Sequence, residues 1–117
     1  MQKSGLKLSN TQHDNVTMVA LAGFLDGHTI VGLEIHVDDV IKRGGKRLVF
    51  ELSGLTYIAS AGVGLFISTN HRLKGIGGSL QLVTPSPSVA EIFAILGLDS
   101  IFTIHAGIDA GVAAAKA

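Results

Sequence analysis

The hydrophobic positions of the chain change period several times, and each change marks an element. Val16-Thr-Met-Val-Ala-Leu-Ala22 is a β-rich run that ends at Gly23 and follows the polar turn segment His13-Asp14-Asn15. It predicts a strand, preceded by a weaker one near Leu6 to Ser9. From Asp26 onward the spacing becomes helical: Ile30, Leu33, Val37, Val40 and Ile41 share one face, Gly44-Gly45 closes the segment, and Asp26 or Thr29 can serve as N-cap. Leu48-Val-Phe-Glu-Leu52 is nearly continuous apolar sequence, as expected of a central strand covered on both faces.

After a turn at Ser53-Gly54 and the stretch Leu55 to Ile58, a second helix is expected from Ser60 to about Lys74, ended by Gly75, Gly77 and Gly78. Leu80-Gln-Leu-Val83 is a further strand. Ser86-Pro87 places an N-cap before a proline at the first helical position, and Val89, Ile92, Phe93 and Leu96 carry that helix to Gly97. Ile101 to Ile104 predicts a short strand and Ile108 to Ala115 a last, alanine-rich helix. Strands alternating with helices of this length indicate an α/β sheet with helices packed on it, in a single domain over residues 1–117.

Composition narrows the function classes. A chain of 117 residues can bury roughly two-thirds of its unfolded surface, so it needs no disulfide or metal to fold. It has no cysteine, which removes thiolate chemistry and fits a cytoplasmic location. Nine basic and nine acidic residues cancel, leaving no net field to draw in nucleic acid. The five Phe, one Tyr and absent Trp supply little surface for stacking bases. Met1 to Asn10 lacks the apolar stretch of a signal peptide, and no segment reaches the ~20 apolar residues of a spanning helix, so no membrane insertion is expected.

Enzyme signatures fail on inspection. Gly62-Val-Gly64 is followed by Ile67 where a dinucleotide fingerprint needs its third glycine, and Gly75-Ile-Gly-Gly78 lacks the lysine and hydroxyl of a P-loop. His13, His28, His36, His71 and His105 form no metal-ligand pair, so neither metal nor cofactor is expected. Glu51 lies within an apolar strand; it is either a carboxylate of raised pKa suited to proton transfer or a strand-end group reaching solvent.

Ser60 stands apart because three local facts meet there. It follows a strand-to-helix turn, it begins a helix, and Ala61, Gly62 and Gly64 keep the first turn free of bulk. Unpaired N–H groups and the helix dipole favour an anion at such a place. The hydroxyl has two readings there, an N-cap contributing ~1 kcal/mol or an acceptor of phosphate.

Four segments in order resemble a known pattern over nearly the whole chain: Gly23-Phe-Leu-Asp-Gly-His-Thr29, Leu48 through Leu65, Lys74-Gly-Ile-Gly-Gly-Ser-Leu80, and Pro87 through Leu98. The sequence is similar to the STAS domain, the anti-sigma factor antagonist family. That resemblance implies a mixed sheet of four to five strands with about four helices packed mainly on one face. It also implies a non-enzymatic partner switch that regulates transcription: the unmodified protein binds an anti-sigma factor that is also a serine kinase, phosphorylation of the serine at the matching position, Ser60, releases it, and a serine phosphatase resets it. Asp26 matches an acidic residue beside the loop, and the partner-binding set carried over is Asp26, Ala59, Ser60, Ala61, Gly62 and Gly64. Two positions depart from the pattern. Ala59 replaces the aspartate that usually precedes the serine, and Glu51 stands where relatives usually have aspartate.

Two other functions remain open at this point. One keeps the fold but docks constitutively through the Ala59 loop, without phosphorylation. The other is a small nucleotide-binding protein or weak hydrolase using the same helix start, against which stand the missing P-loop, metal ligands and base.

Overall fold

The computed structural model describes residues 5–116. The reading of the first residues as lacking a secretory stretch therefore falls partly on residues 1–4, outside that range. The elements run β1 (Leu6–His13), β2 (Val16–Leu25), α1 (Ile30–Lys42), β3 (Arg47–Ile58), α2 (Ser60–Gly75), β4 (Ser79–Val83), α3 (Pro87–Leu96), β5 (Ile104–His105) and α4 (Ile108–Lys116).

The strands form one sheet in the order β1-β2-β3-β4-β5. The β1-β2 pair is an antiparallel hairpin closed at His13 and Val16, with Asp14 at φ 58° in its two-residue turn. Every later pairing is parallel, which requires the intervening helices as crossovers. Alternation along the strands divides the core in two. Val19, Leu21, Leu48, Phe50, Leu80 and Leu82 face α1, α2 and α3, whereas Val16, Val49 and Val83 face Val112 and Ala115 of α4. Three helices thus cover one face and a single helix part of the other, as the family resemblance implies. Among the described residues no helix is long and apolar enough to cross a membrane.

The larger core is held at its centre by Phe66 of α2. It lies edge-on to Phe50 and Phe93 at ring-centroid separations of 5.1 and 6.5 Å. On the opposite face α4 comes unusually close to the sheet. A Cβ at Gly111 would collide with Val83 Cγ1, so glycine permits this approach without displacing Val83.

Two segments differ from their sequence expectations. Ser53-Gly54 is no turn: β3 passes through it without interruption for 12 residues. Its register against β2 shifts between Ala20 and Ala22 and again between Gly23 and Phe24, so β3 spends an extra residue at each bulge. The strand expected over Ile101 to Ile104 begins only at Ile104. Gly97, at φ 70°, ends α3, Leu98–Ser100 forms one 3₁₀ turn, and the amide of Phe102 donates to Leu98 O at 2.9 Å. Chain committed to that turn cannot join the sheet, and β5 is reduced to Ile104–His105.

Candidate functional site

The candidate site lies where β2 and β3 leave the sheet at their C-terminal ends. Leu25 and Ile58 are register partners and both are buried, so the residues that follow them emerge side by side. The amide of Ala59 donates to Leu25 O at 2.9 Å and joins the two exits. This is the edge of a parallel sheet where loops collect and functional groups are commonly displayed.

On the β2 side Asp26 organises the turn into α1. Its Oδ1 accepts the N–H of His28 at 2.9 Å and of Thr29 at 3.0 Å, while Asp26 O accepts the N–H of Ile30 at 3.0 Å. This is N-cap chemistry, although the regular helix begins only at Ile30. Thr29, formally the N-cap, works in the other direction: its hydroxyl accepts the Asp26 N–H and donates to Phe24 O, each at 2.9 Å. The N–H groups of Thr29 and His28 hold the Asp26 carboxyl below the ordinary aspartate value, so it is ionised at neutral pH.

On the β3 side the N-cap of α2 is Ala59, whose side chain offers no capping group, and Ser60 occupies the first helical position. The Ser60 side chain is exposed. The capping reading of Ser60 therefore fails on geometry. At the start of α2 the N–H of Ala59 is taken by Leu25 O and that of Gly62 by Ala59 O at 2.9 Å, and no side-chain oxygen at the N-cap covers those of Ser60 and Ala61.

The small residues around Ser60 have different jobs. Gly62 is buried, and a Cβ there would lie 2.8 Å from Leu25 Cδ2 and 2.9 Å from Ile58 Cγ1, so glycine lets α2 settle on the ends of both strands. Gly64 is exposed, a Cβ there would meet nothing within 4 Å, and Ala61 is exposed beside it. Asp26 and Ala59 thus follow neighbouring strand ends, Ser60, Ala61 and Gly64 are exposed on the first turns of α2, and Gly62 packs beneath against Leu25 and Ile58.

Several contributors are not apparent from sequence. Phe24 and Tyr57, opposed in register, are 41% and 50% exposed beside the loops, which is notable in a chain so poor in aromatic residues. The bulged end of β3 is clamped from three sides. Thr56 Oγ1 donates to Gly23 O at 2.9 Å, Ser86 Oγ to Leu55 O at 2.6 Å and Ser88 Oγ to Thr56 O at 3.1 Å. The only available signal is the hydroxyl-rich Ser86-Pro-Ser88, which by itself indicates no more than a helix start.

Glu51 is part of the same scaffold. Burial raises its pKa, but hydrogen bonds from the Thr84 hydroxyl and the Ser53 N–H outweigh this and leave the carboxyl below its ordinary value. A raised-pKa proton-transfer group is not what the structure contains. Thr84, a β-branched residue at φ 50°, is held in that strained conformation by the Glu51 contact and by its own N–H to His105 O at 2.9 Å. Among the described residues no cluster of three His, Asp or Glu side chains could hold a metal.

Comparison with known proteins agrees with this architecture. Over 111 residues the chain is 31% identical to BtrV of Bordetella bronchiseptica, a candidate anti-sigma factor antagonist, covering 95% of this chain and 96% of that protein. The anti-sigma-B factor antagonist of Staphylococcus aureus is 26% identical over 102 residues, 87% of this chain and 94% of its own. Among solved structures, an anti-sigma factor antagonist from Mycobacterium paratuberculosis superposes with a TM-score of 0.83 at 23% identity, covering 96% of this chain and 95% of that one. Unphosphorylated SpoIIAA superposes with a TM-score of 0.74 at 23% identity, with 92% of each chain covered. The STAS domain model matches residues 7–111, which is the sheet except for Leu6 and the three helices of its covered face together with the start of α4, and the chain belongs to the STAS domain family.

Proposed function

We propose that the protein is an anti-sigma factor antagonist, a non-enzymatic binding module whose Asp26–Ser60 surface docks an anti-sigma factor with serine kinase activity. In this reading Ser60 is the phosphoacceptor: its Oγ takes the γ-phosphoryl group of ATP, the hydroxyl proton departs and ADP is released. The observation that carries the reading is the exposed Ser60 hydroxyl on the first residue of α2, with no capping side chain over the helix N-terminus. The names of the relatives point to the same partner class. A phosphate there meets the uncapped N–H groups of Ser60 and Ala61 and the positive end of the helix dipole, so it is locally comfortable. The switch then acts on the partner: a charge of about −2 enters an interface that was complementary without it. A serine phosphatase would restore the binding form, and the site of action is the cytoplasm.

A second reading is favoured by Ala59. The carboxylate that usually precedes the serine is absent, and a loop without it could dock a partner constitutively. Incubation with the anti-sigma kinase of the same organism and ATP, followed by intact-mass measurement, separates the two. The phosphoacceptor reading requires one added phosphate on the wild-type chain and none on Ser60→Ala. Retained binding without any phosphate establishes the constitutive adaptor instead.

A further inference from the structure

Among the described residues no strand pairs with the outer side of β1, and an apolar cavity lies beside that edge. β1 pairs with β2 in unbroken register from Leu6 to His13, and the Phe24 N–H donates to Gly5 O at 2.7 Å in the same register. Antiparallel pairs alternate between residues that exchange hydrogen bonds and residues that do not. Gly5 fixes the phase, so Lys7, Ser9, Thr11 and His13 turn their backbone groups toward β2, whereas Leu6, Leu8, Asn10 and Gln12 turn theirs outward. No proline or bulge interrupts this edge, and its one charge, Lys7, projects on the α4 side of the sheet. Those are the usual devices that keep an edge strand from pairing.

The cavity, about 600 Å³, lies on the α1 side of this edge. Leu6 and Leu8 supply apolar walls, Phe24 borders the opening, Gly32 of α1 leaves the space open, and Asp26 and His28 stand at its polar end. Residues opposed across neighbouring strands point to the same face. A strand added outside β1 would therefore direct every second side chain, those opposite Leu6 and Leu8, into the cavity. Among the described residues no lysine or arginine pairs with Asp26, whose carboxylate is held by the N–H groups of His28 and Thr29 and keeps its negative charge at one end.

We propose that β1 accepts an extended segment of a partner protein as a sixth strand, apolar at alternate positions and carrying a basic residue that reaches Asp26. Main-chain hydrogen bonds to Leu6, Leu8, Asn10 and Gln12 supply attachment, and the cavity selects the side chains. A second copy of β1 fits less well. Paired antiparallel over its full length it would set Asn10 and Gln12 opposite Leu8 and Leu6, bringing amides to an apolar space. The inference rests on the proposed function only in taking the ligand to be a protein, and Asp26 makes the two surfaces continuous.

The test is amide hydrogen exchange by NMR on the whole protein with the peptide acetyl-Lys-Val-Ser-Val-Thr-Val-Lys-amide. The amides of Leu6, Leu8, Asn10 and Gln12 should slow by an order of magnitude or more at saturating peptide. Gly32→Leu should abolish that protection while leaving the circular dichroism spectrum unchanged, because Gly32 is exposed and a Cβ there meets nothing within 4 Å. Free-protein exchange rates at these amides up to millimolar peptide overturn the proposal. So does protection already present without peptide together with a dimer mass in sedimentation, which would assign the edge to a second copy. The phosphate measurement on Ser60 is independent: either experiment can fail and leave the other reading standing.

Discussion

Gly62 lies against Leu25 so closely that a single added carbon would approach Cδ2 to 2.8 Å. The neighbouring glycine of the same helix turn, Gly64, has open space where its side chain would be. Two glycines two residues apart thus make opposite predictions. Gly62→Ala should push α2 off the strand ends and destabilise by ~1–3 kcal/mol, the usual range for overpacking. Gly64→Ala should be neutral or stabilise by up to ~1 kcal/mol, since a helical glycine is replaced without strain. Urea unfolding of both variants checks the contrast, and equal effects would contradict the packing described.

Ser60→Asp should leave the circular dichroism spectrum and melting temperature close to those of the wild type. A negative charge on the first residue of α2 lies at the favourable end of the helix dipole, worth about 0.3–1 kcal/mol at an exposed site. Binding to the anti-sigma factor, measured by calorimetry, should nevertheless fall for Ser60→Asp and persist for Ser60→Ala. A melted domain in Ser60→Asp would show that the fold itself, rather than the partner contact, carries the switch.

Acid should loosen the loop scaffold in a defined direction. The Asp26 and Glu51 carboxyls both have pKa values lowered in the folded state, Asp26 by the N–H groups of Thr29 and His28, Glu51 by bonds from Thr84 and Ser53 that overcome its burial. A lowered folded pKa means that the stabilisation is present above the unfolded values of 3.8 and 4.5 and is lost as pH falls through the folded ones. Asp26→Asn and Glu51→Gln should each lower stability at neutral pH, where the ionised carboxyl contributes, and so flatten the acid limb of a stability-against-pH curve. An unchanged acid limb in the double variant would remove both groups from the account.

The attachment of α4 offers a comparison of packing with charge. Lys116 pairs with Asp14 at 2.7 Å on an exposed surface, whereas Gly111 fits against Val83 with no room for a Cβ. Lys116→Ala should cost less than ~1 kcal/mol, the range of exposed ion pairs. Gly111→Ala should cost more, because Val83 must rotate or α4 must lift from the sheet. Thermal denaturation ranks the two, and the reverse order would mean that charge anchors the helix. In the larger core Phe66→Ala should cost ~3–5 kcal/mol in the same measurement.

Where the hydrophobic period is clean, the sequence is readable. Ile30, Leu33, Val37 and Val40 on α1, and Ser86-Pro87 with Gly97 around α3, predict elements that the structure contains almost to the residue. Legibility fails at β3. Leu52, Leu55 and Ile58 are all buried, yet they recur every third residue, a spacing that belongs to neither a regular strand nor a helix. Two bulges produce that spacing, and bulges arise from pairing with β2, which local sequence does not display. The site is legible in part for a similar reason. Ser60 and Asp26 carry a recognisable neighbourhood in sequence, while Phe24, Tyr57 and the cavity beside β1 become visible only when the strands are set side by side.

The bulges also act as a ruler. β3 uses two residues more than β2 between the pairs Ala20–Glu51 and Leu25–Ile58, and Ser60 follows directly after that surplus. Each residue of a strand advances the chain by about 3.3 Å. The two bulges absorb that surplus, so Leu25 and Ile58 still leave the sheet side by side, and the place of the hydroxyl beside the β2 exit is set by a count of backbone units rather than by any side chain. Lengthening or shortening β3 near Ser53 or Thr56 would move the acceptor along the sheet edge in discrete steps, with its chemistry unaltered.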